Sequence, residues 1–123
     1  MIKEGIKVNV LAEGVCFSAT TFLVACATGK RRASKNTRFL VHEMQISGIN
    51  GTHTQTKSFQ KEIGFLNERM LSVYAECTSK KKGKTLLSKE YDKFYRDWER
   101  KCQGETYLSS EEVLELGLID EIV

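Results

Sequence analysis

Residues 13–30 read EGVCFSATTFLVACATGK, a stretch in which a short strand reaches a glycine and a helix begins at a lone serine. Gly14 permits a sharp turn, because glycine tolerates backbone conformations that other residues avoid. The small and apolar residues 19–27 are typical of a buried helix, which we expect to end at Gly29. Ser18 therefore lies where strand becomes helix.

The position of Ser18 supports two interpretations. Serine is a preferred N-cap residue, and most such serines do no chemistry. Alternatively, the backbone N–H groups of Ser18 and Ala19 belong to the unpaired donors of a helix N-terminus, whose partial positive charge stabilises a developing oxyanion. From the local sequence alone, the ordinary cap is the favoured interpretation.

A histidine ends the next predicted strand. Residues 38–42 are mostly apolar and read as a strand that ends at His42, and residues 6–10 alternate as a half-buried strand does. Two parallel strands with a helix between them form a right-handed crossover, which brings both strand ends to one edge of a sheet. His42 would then lie near Ser18 and accept its proton. Taken alone, a histidine at a strand end is more often a satisfied polar residue, and His53 is a weaker candidate.

Composition limits the class of protein. The chain has 123 residues, a net charge of +3, 41% hydrophobic and 28% charged residues, values that describe one soluble globular domain over residues 1–123. We expect no membrane insertion, because no apolar run approaches the roughly 20 residues that span a bilayer. The basic runs 30–32 and 80–82 lack interleaved aromatic residues, so we interpret them as solvated loops and expect no nucleic-acid partner.

The cysteines carry no metal or redox motif. They lie far apart without a C-x-x-C pair, which suggests neither a zinc site nor a thioredoxin-like site. We interpret them as free thiols of a cytoplasmic protein, since the N-terminus has no secretory signal. No nucleotide-binding motif is present, and we expect no cofactor. The four are Cys16, Cys26, Cys77 and Cys102.

Three helices are predicted after the histidine strand. Beyond a loop at 48–54, apolar residues recur in steps of four and three, a seam suited either to the core or to a contact between subunits. The seam consists of Phe59, Ile63, Leu66, Met70, Val73 and Cys77. A second helix at 88–101 should bury its aromatic face. A capping box at 109–112 opens a short helix that Gly117 closes, before a strand-like run at 118–123.

Five blocks of sequence, taken in order, resemble the Clp protease proteolytic subunit family. They cover the chain from about residue 6 to its end, and the tail of the chain resembles phage-type relatives of the family more than the housekeeping subunit. The blocks are GVCFSA (14–19), TGKR (28–31), FLVHE (39–43), GETYLSSEEV (104–113) and LGLID (116–120). The resemblance implies an α/β protein of crotonase-like fold, built of repeated β-β-α units, and the activity of a serine endopeptidase.

The resemblance also implies the roles of a catalytic triad. Ser18 matches the nucleophile and His42 the general base. The third member of the family triad is an aspartate, and Glu105 stands at that position here. Glutamate keeps the charge and adds one methylene. It could therefore still orient the ring of His42 if its backbone lies farther from that ring by a little over 1 Å, about the length of a carbon–carbon bond. Asp97 and Asp92, on the preceding helix, are the alternatives.

The family builds its oxyanion hole from two backbone N–H groups, one of which matches Ala19 here. The other belongs to a glycine in a preceding strand-helix unit, whereas only 17 residues precede Ser18. We therefore expect the N-terminal unit to be missing, with the strands and loops that in the family dock the unfoldase. Losing one such donor costs on the order of 10²–10³ in rate, so we expect the isolated chain to be a feeble catalyst even with all three triad groups present.

The implied partners are polypeptide substrates, other copies of the chain in rings, and an AAA+ unfoldase that would supply any ATP dependence. A crotonase-type acyl-CoA enzyme would share the fold, but such enzymes use backbone donors and carboxylates and need no pair like Ser18 and His42. An α/β-hydrolase is not favoured, because the Gly-x-Ser-x-Gly elbow is absent. The sequence leaves the active peptidase and the inactive assembly subunit open.

Overall fold

The computed structural model describes residues 5–45, 50–84 and 89–123. Its elements follow one another as β1 (Val10–Ala12), β2 (Val15–Phe17), α1 (Ala19–Cys26), β3 (Arg31–Ala33), β4 (Arg38–Val41), α2 (His53–Lys81), α3 (Lys89–Gln103), β5 (Thr106–Ser109), α4 (Ser110–Glu115) and β6 (Glu121–Ile122). Among these helices none is long and apolar enough to cross a membrane.

The chain repeats a β-β-α unit. Strands β1 and β2 precede α1, and strands β3 and β4 precede α2. The first strands of the two units, β1 and β3, pair in parallel, and so do the second strands, β2 and β4. The two units therefore stack. The last strands complete two three-stranded sheets, of order β1-β3-β6 and β2-β4-β5. The expected α/β class is confirmed.

Tight turns join the two strands of each unit. Gly14 has φ +74°, a left-handed conformation that suits glycine. In the second unit the buried hydroxyl of Thr37 donates to the carbonyl of Ala12, at 3.0 Å, and ties the two turns together. The backbone N–H of Arg38 also donates to the carbonyl of Gly14, at 2.9 Å, an ordinary length for a backbone hydrogen bond.

The core lies between the strands and helices α2 and α3. Its centre is aromatic: the rings of Tyr74 and Trp98 have centroids 4.8 Å apart, and both side chains are buried. The indole N–H of Trp98 donates to the hydroxyl of Thr78 at 2.9 Å, which satisfies the buried polar edge of that ring. Phe94 is buried as well, so the prediction that α3 buries an aromatic face is confirmed.

The first unit begins later than predicted. Strand β1 starts at Val10, and Ile6 is 55% exposed, so residues 6–10 are not a strand with one buried face. Helix α1 ends at Cys26 with Ala27 as its cap, not at Gly29. Gly29 is needed for a close approach instead, since a Cβ there would lie 2.9 Å from the carbonyl oxygen of Val8.

The first basic run is a strand rather than a solvated loop. Arg31 belongs to β3, and its guanidinium donates to the carboxylate of Asp120 at 2.8 and 3.3 Å. The backbone N–H of Arg31 donates to the same carboxylate at 3.0 Å. This charge-assisted pair offsets the cost of half-burying the arginine and ties β3 to the segment that enters β6.

The second basic run is also structured. Lys80 and Lys81 form the last turn of α2, and Lys82 is its C-cap. Cations are favourable there because the helix macrodipole places negative charge at the C-terminus. The loop interpretation of residues 80–82 is therefore wrong for its first two lysines.

The two halves of the predicted seam on helix α2 have different surroundings. The structure describes the whole of α2, and within it no residue before Met70 is buried. Phe59 and Leu66 are 49% and 41% exposed, so the first half of the seam is not part of the core of this chain. Val73 and Cys77 pack against the core, so the second half is core.

The remaining boundaries follow from local capping. Thr52 caps α2 through a capping box with Gln55, so the predicted loop at 48–54 ends sooner than expected; its residues 48 and 49 lie outside the described ones. Residue 88 of the predicted aromatic helix also lies outside them. The capping box of residues 109–112 is confirmed by the bonds between Ser109 and Glu112, and within the run at 118–123 the strand β6 covers Glu121–Ile122.

Candidate active site

Ser18 occupies a strained turn between β2 and α1. Its backbone has φ 60° and ψ −118°, a conformation that costs a non-glycine residue about 1–3 kcal/mol. Its N–H donates to the carbonyl of Leu40 at 2.8 Å, so the main chain is anchored. The side chain makes no capping hydrogen bond with any described residue. The interpretation of Ser18 as an ordinary N-cap is therefore wrong, because its hydroxyl makes no hydrogen bond to the described helix donors that a cap would bind.

The turn is held by a threonine that the sequence analysis missed. Thr21 is fully buried, and its hydroxyl donates to the carbonyl of Cys16 at 2.6 Å and lies 3.2 Å from the carbonyl of Leu40. One side chain of α1 thus bridges β2 and β4 immediately below Ser18. The signal available in the sequence was a threonine near the start of an otherwise apolar helix.

Parallel pairing brings the histidine to the same place as the serine. Phe17 of β2 pairs with Leu40 of β4, so Ser18 follows one strand and His42 lies just beyond the end of the other. The strand that leads into Ser18 is β2, which the sequence analysis did not recognise, and not residues 6–10. Ser18 and His42 line one cavity of about 410 Å³. Its other lining residues are Ala19, Phe22, Glu43, Met44, Gln45 and Met70.

The imidazole of His42 has one nitrogen committed. Its Nδ1 lies 2.5 Å from the backbone carbonyl oxygen of Glu43. A carbonyl oxygen only accepts, so this contact assigns the proton of the neutral ring to Nδ1 and the lone pair to Nε2. That tautomer leaves Nε2 able to take a proton from a hydroxyl, as a general base must.

Glu105 immediately precedes strand β5. Strands β4 and β5 are antiparallel, and their paired register ends with Val41 opposite Thr106, so His42 follows the last pair on one strand and Glu105 precedes it on the other. Glu105 is exposed, with φ 46°. Among the described residues no hydrogen bond or ion pair joins the two side chains, and the role of Glu105 stays a prediction.

The two alternative carboxylates do not contact the histidine either. Asp97, on α3, forms an ion pair with Arg100 one turn later. Asp92 is exposed in the first turn of the same helix. In the part of the chain that the structure describes, neither has a bond to His42. His53, the weaker candidate base, is exposed at the start of α2.

Ala19 begins α1 and lines the cavity. The N–H groups of Thr21 and Phe22 donate to the carbonyl of Ser18, at 3.0 and 3.3 Å. Within the described ranges the N–H of Ala19 has no partner, as expected for the first residue of a helix. An unpaired donor at a helix N-terminus is suited to stabilise negative charge that develops beside it.

The cysteines are free thiols and do not compete with Ser18. Cys16 lies two residues before it but is buried, and this burial raises the pKa of its thiol. Burial likewise raises the pKa of Cys102 to about 12. Both stay protonated at neutral pH and are poor nucleophiles. No group of three His, Cys, Asp or Glu residues able to hold a metal occurs in residues 5–45, 50–84 and 89–123.

One comparison with known proteins bears on this site. The sequence model of a protein family described as Clp protease matches residues 1–123. The match includes Ser18, His42 and Glu105.

Proposed function

Because the chain belongs to the Clp protease family, which supports a peptidase-type function, we propose that it is a serine endopeptidase subunit acting through Ser18 and His42. The observation that carries the proposal is the junction of β2 and α1. There Ser18 has a strained backbone conformation, and its hydroxyl makes no capping hydrogen bond with a described residue. Ser18 also lines the same cavity as His42. A nucleophilic serine on a sharp strand-to-helix turn is the arrangement of other hydrolases, although the flanking glycines of that motif are absent.

In the proposed reaction the hydroxyl oxygen of Ser18 attacks the carbonyl carbon of a peptide bond while Nε2 of His42 takes the hydroxyl proton. The oxyanion of the tetrahedral intermediate accepts a hydrogen bond from the N–H of Ala19. His42 returns the proton to the leaving amine, and the acyl group remains on Ser18. Water then attacks the ester by the same proton route and releases the acid. We propose that the carboxylate of Glu105 stabilises the imidazolium from the adjacent register position.

The substrate class follows from the cavity wall. Phe22, Met44 and Met70 contribute apolar side chains beside the proposed nucleophile. We propose that polypeptides are cleaved after apolar residues, because burying such a side chain favours binding by about 1.5–3 kcal/mol.

We also propose that the chain acts as an oligomer. Members of this family typically oligomerise. Three large apolar side chains on the first half of α2 are exposed, and single subunits rarely leave such a surface uncovered. They are Phe59, Phe65 and Leu66, at 49%, 65% and 41%. We propose further that the subunits form rings, and that these rings act with an AAA+ unfoldase in the cytoplasm.

A second candidate function is an inactive subunit that contributes assembly surface only. Two considerations favour it: within the described residues no carboxylate is bonded to His42, and the proposed oxyanion hole has a single assigned donor, the N–H of Ala19. Loss of one oxyanion donor costs on the order of 10²–10³ in rate.

Hydrolysis of a fluorogenic peptide with an apolar residue before the scissile bond separates the two candidates. The purified chain should cleave it, and Ser18→Ala should not. Ser58→Ala is a matched control, because Ser58 is exposed on α2, away from the cavity. Cleavage that persists in Ser18→Ala would remove the serine from the mechanism. No cleavage by the parent chain would favour the assembly subunit.

A further inference from the structure

We infer that Asn67, on helix α2, is a positioning residue that holds His42 in its reactive tautomer through a single peptide group. The inference rests on the proposed function, since it assigns Asn67 a role toward the proposed base. It concerns a residue that no sequence motif distinguishes.

Three groups are connected in series. The side-chain oxygen Oδ1 of Asn67 accepts a hydrogen bond from the backbone N–H of Met44, at 3.0 Å. That N–H belongs to the same peptide group as the carbonyl of Glu43. The carbonyl in turn accepts the hydrogen bond from Nδ1 of His42, at 2.5 Å. One peptide group therefore links the asparagine to the imidazole.

The neighbouring peptide group is held by another helix. The N–H of Glu43 donates to the carbonyl of Cys102, in the last turn of α3, at 3.0 Å. The two peptide groups after His42 are thus fixed by different helices, one by α3 and one by α2. Because the chain leaves β4 at Val41, these bonds decide where the carbonyl of Glu43 points.

Two physical effects connect Asn67 to the ring. First, fixing the peptide plane fixes the acceptor, and the acceptor selects which ring nitrogen keeps the proton. Second, a hydrogen bond at the N–H end of an amide polarises it and strengthens its carbonyl as an acceptor, by about 10–30% per bond. Both effects favour the tautomer with the lone pair on Nε2.

The location of Asn67 suits this role. It is half-buried, and Met70, one turn later on the same helix, is the first buried residue of α2 and lines the cavity with Ser18 and His42. A polar residue at this point brings a hydrogen-bond acceptor to the cavity rim. The oxygen is the required atom, because the N–H of Met44 only donates.

The test uses a chain with one histidine. The sequence contains two, so His53→Gln leaves His42 as the sole imidazole and gives the parent for all variants. Asn67→Leu removes the acceptor and keeps a similar shape, Asn67→Ala removes it and favours the helix, and Asn67→Asp retains an acceptor oxygen. Gln60→Ala is the matched control, since Gln60 is exposed on the same helix.

Two readouts are needed, one of which does not depend on activity. Nitrogen-15 NMR of the ring at about pH 8.5, above the usual range for imidazole titration, reports the tautomer of His42. The rate of reaction with a fluorophosphonate reports activation of Ser18. Asn67→Leu and Asn67→Ala should raise the population of the other tautomer and slow the reaction about 3- to 10-fold, the scale of one hydrogen bond. Asn67→Asp should keep most of the rate, and Gln60→Ala should match the parent.

The inference is overturned if both acceptor-deleting variants, shown to be folded by circular dichroism, keep the parent tautomer and rate. It is also overturned if Asn67→Asp loses as much as Asn67→Leu, since that result would indicate packing alone. If one deletion fails to fold, the other still decides. If the parent does not react at Ser18, the proposed function fails, whereas the tautomer measurement still tests the role of Asn67.

Discussion

Replacing Ser18 by glycine separates backbone strain from chemistry. Ser18 has φ 60° and ψ −118°, a conformation that glycine adopts about as easily as any other. Its side chain makes no capping hydrogen bond with a described residue, so the substitution breaks no contact of that kind. We expect Ser18→Gly to abolish peptide hydrolysis and to stabilise the fold.

The magnitude follows from two opposing contributions. Relief of the strained conformation contributes about 1–3 kcal/mol to the free energy of unfolding. The greater freedom of glycine in the unfolded chain subtracts about 0.5–1 kcal/mol. The net expectation is a gain of roughly 0–2.5 kcal/mol. Ser18→Ala keeps the strain and loses no cap, so it should stay within about 0.5 kcal/mol of the parent.

Urea unfolding at one fixed protein concentration measures these differences, because oligomerisation makes apparent stability depend on concentration. The chain has a single tryptophan, Trp98, which is 1% exposed and reports the loss of the core by fluorescence. Thermal unfolding provides a second measurement. At this chain length a gain of 1 kcal/mol raises Tm by about 4 °C.

An ordinary N-cap predicts a different order. At such a position alanine costs about 1 kcal/mol and glycine a few tenths, so both variants would be less stable than the parent. A Ser18→Gly protein that unfolds at lower urea than the parent would refute the assignment of strain to this turn.

Three further outcomes are expected. Glu105→Gln should lower kcat by about tenfold or less, well below the loss of about 10⁴ seen for a directly bonded triad carboxylate. Asp97→Asn, which breaks only an ion pair on α3, should leave kcat unchanged. Leu66→Glu should dissociate the oligomer without unfolding the subunit, as sedimentation velocity and circular dichroism will show, whereas Gln60→Glu, the same charge on an exposed site, should not. Hydrogen bonds from its arginine partner lower the pKa of Asp120, so its contribution to stability is fully present above the unfolded value of 3.8 and is lost as the pH falls through the lower folded value. Urea unfolding of Asp120→Asn should therefore show a deficit at neutral pH that vanishes in acid.

Local signals in the sequence predicted the later elements well. The capping box at Ser109 depends on bonds between residues three apart, and the aromatic face of α3 depends on helical periodicity alone. Long-range pairing was harder to read. Strands β2 and β3 have three residues each, too few for periodicity, and they exist because partners far along the chain pair with them. The strand character of Arg31 depends on Asp120, 89 residues away.

The candidate site was likewise predictable from the sequence only in part. The residue types at Ser18 and His42, and a parallel crossover leading from one to the other, were sufficient to expect them at one edge, although the strand before Ser18 was predicted at residues 6–10 and is β2 instead. The strain at Ser18 was not predictable, because serine is also a common cap and only the backbone angles separate the two. Asn67 was not predictable because its partner lies 23 residues earlier and is a main-chain N–H, which has no signature in the sequence.

The central claim is that Ser18 is an activated nucleophile, and covalent reaction with a fluorophosphonate tests it most directly. Attack by the hydroxyl oxygen forms a phosphonate ester and expels fluoride, which requires both the serine and its base. We predict a single adduct that peptide mass spectrometry locates on Ser18, absent from Ser18→Ala, strongly reduced in His42→Gln and unchanged in Ser58→Ala. A folded chain that forms no adduct, or that forms one elsewhere with Ser18→Ala reacting as fast as the parent, would contradict the account.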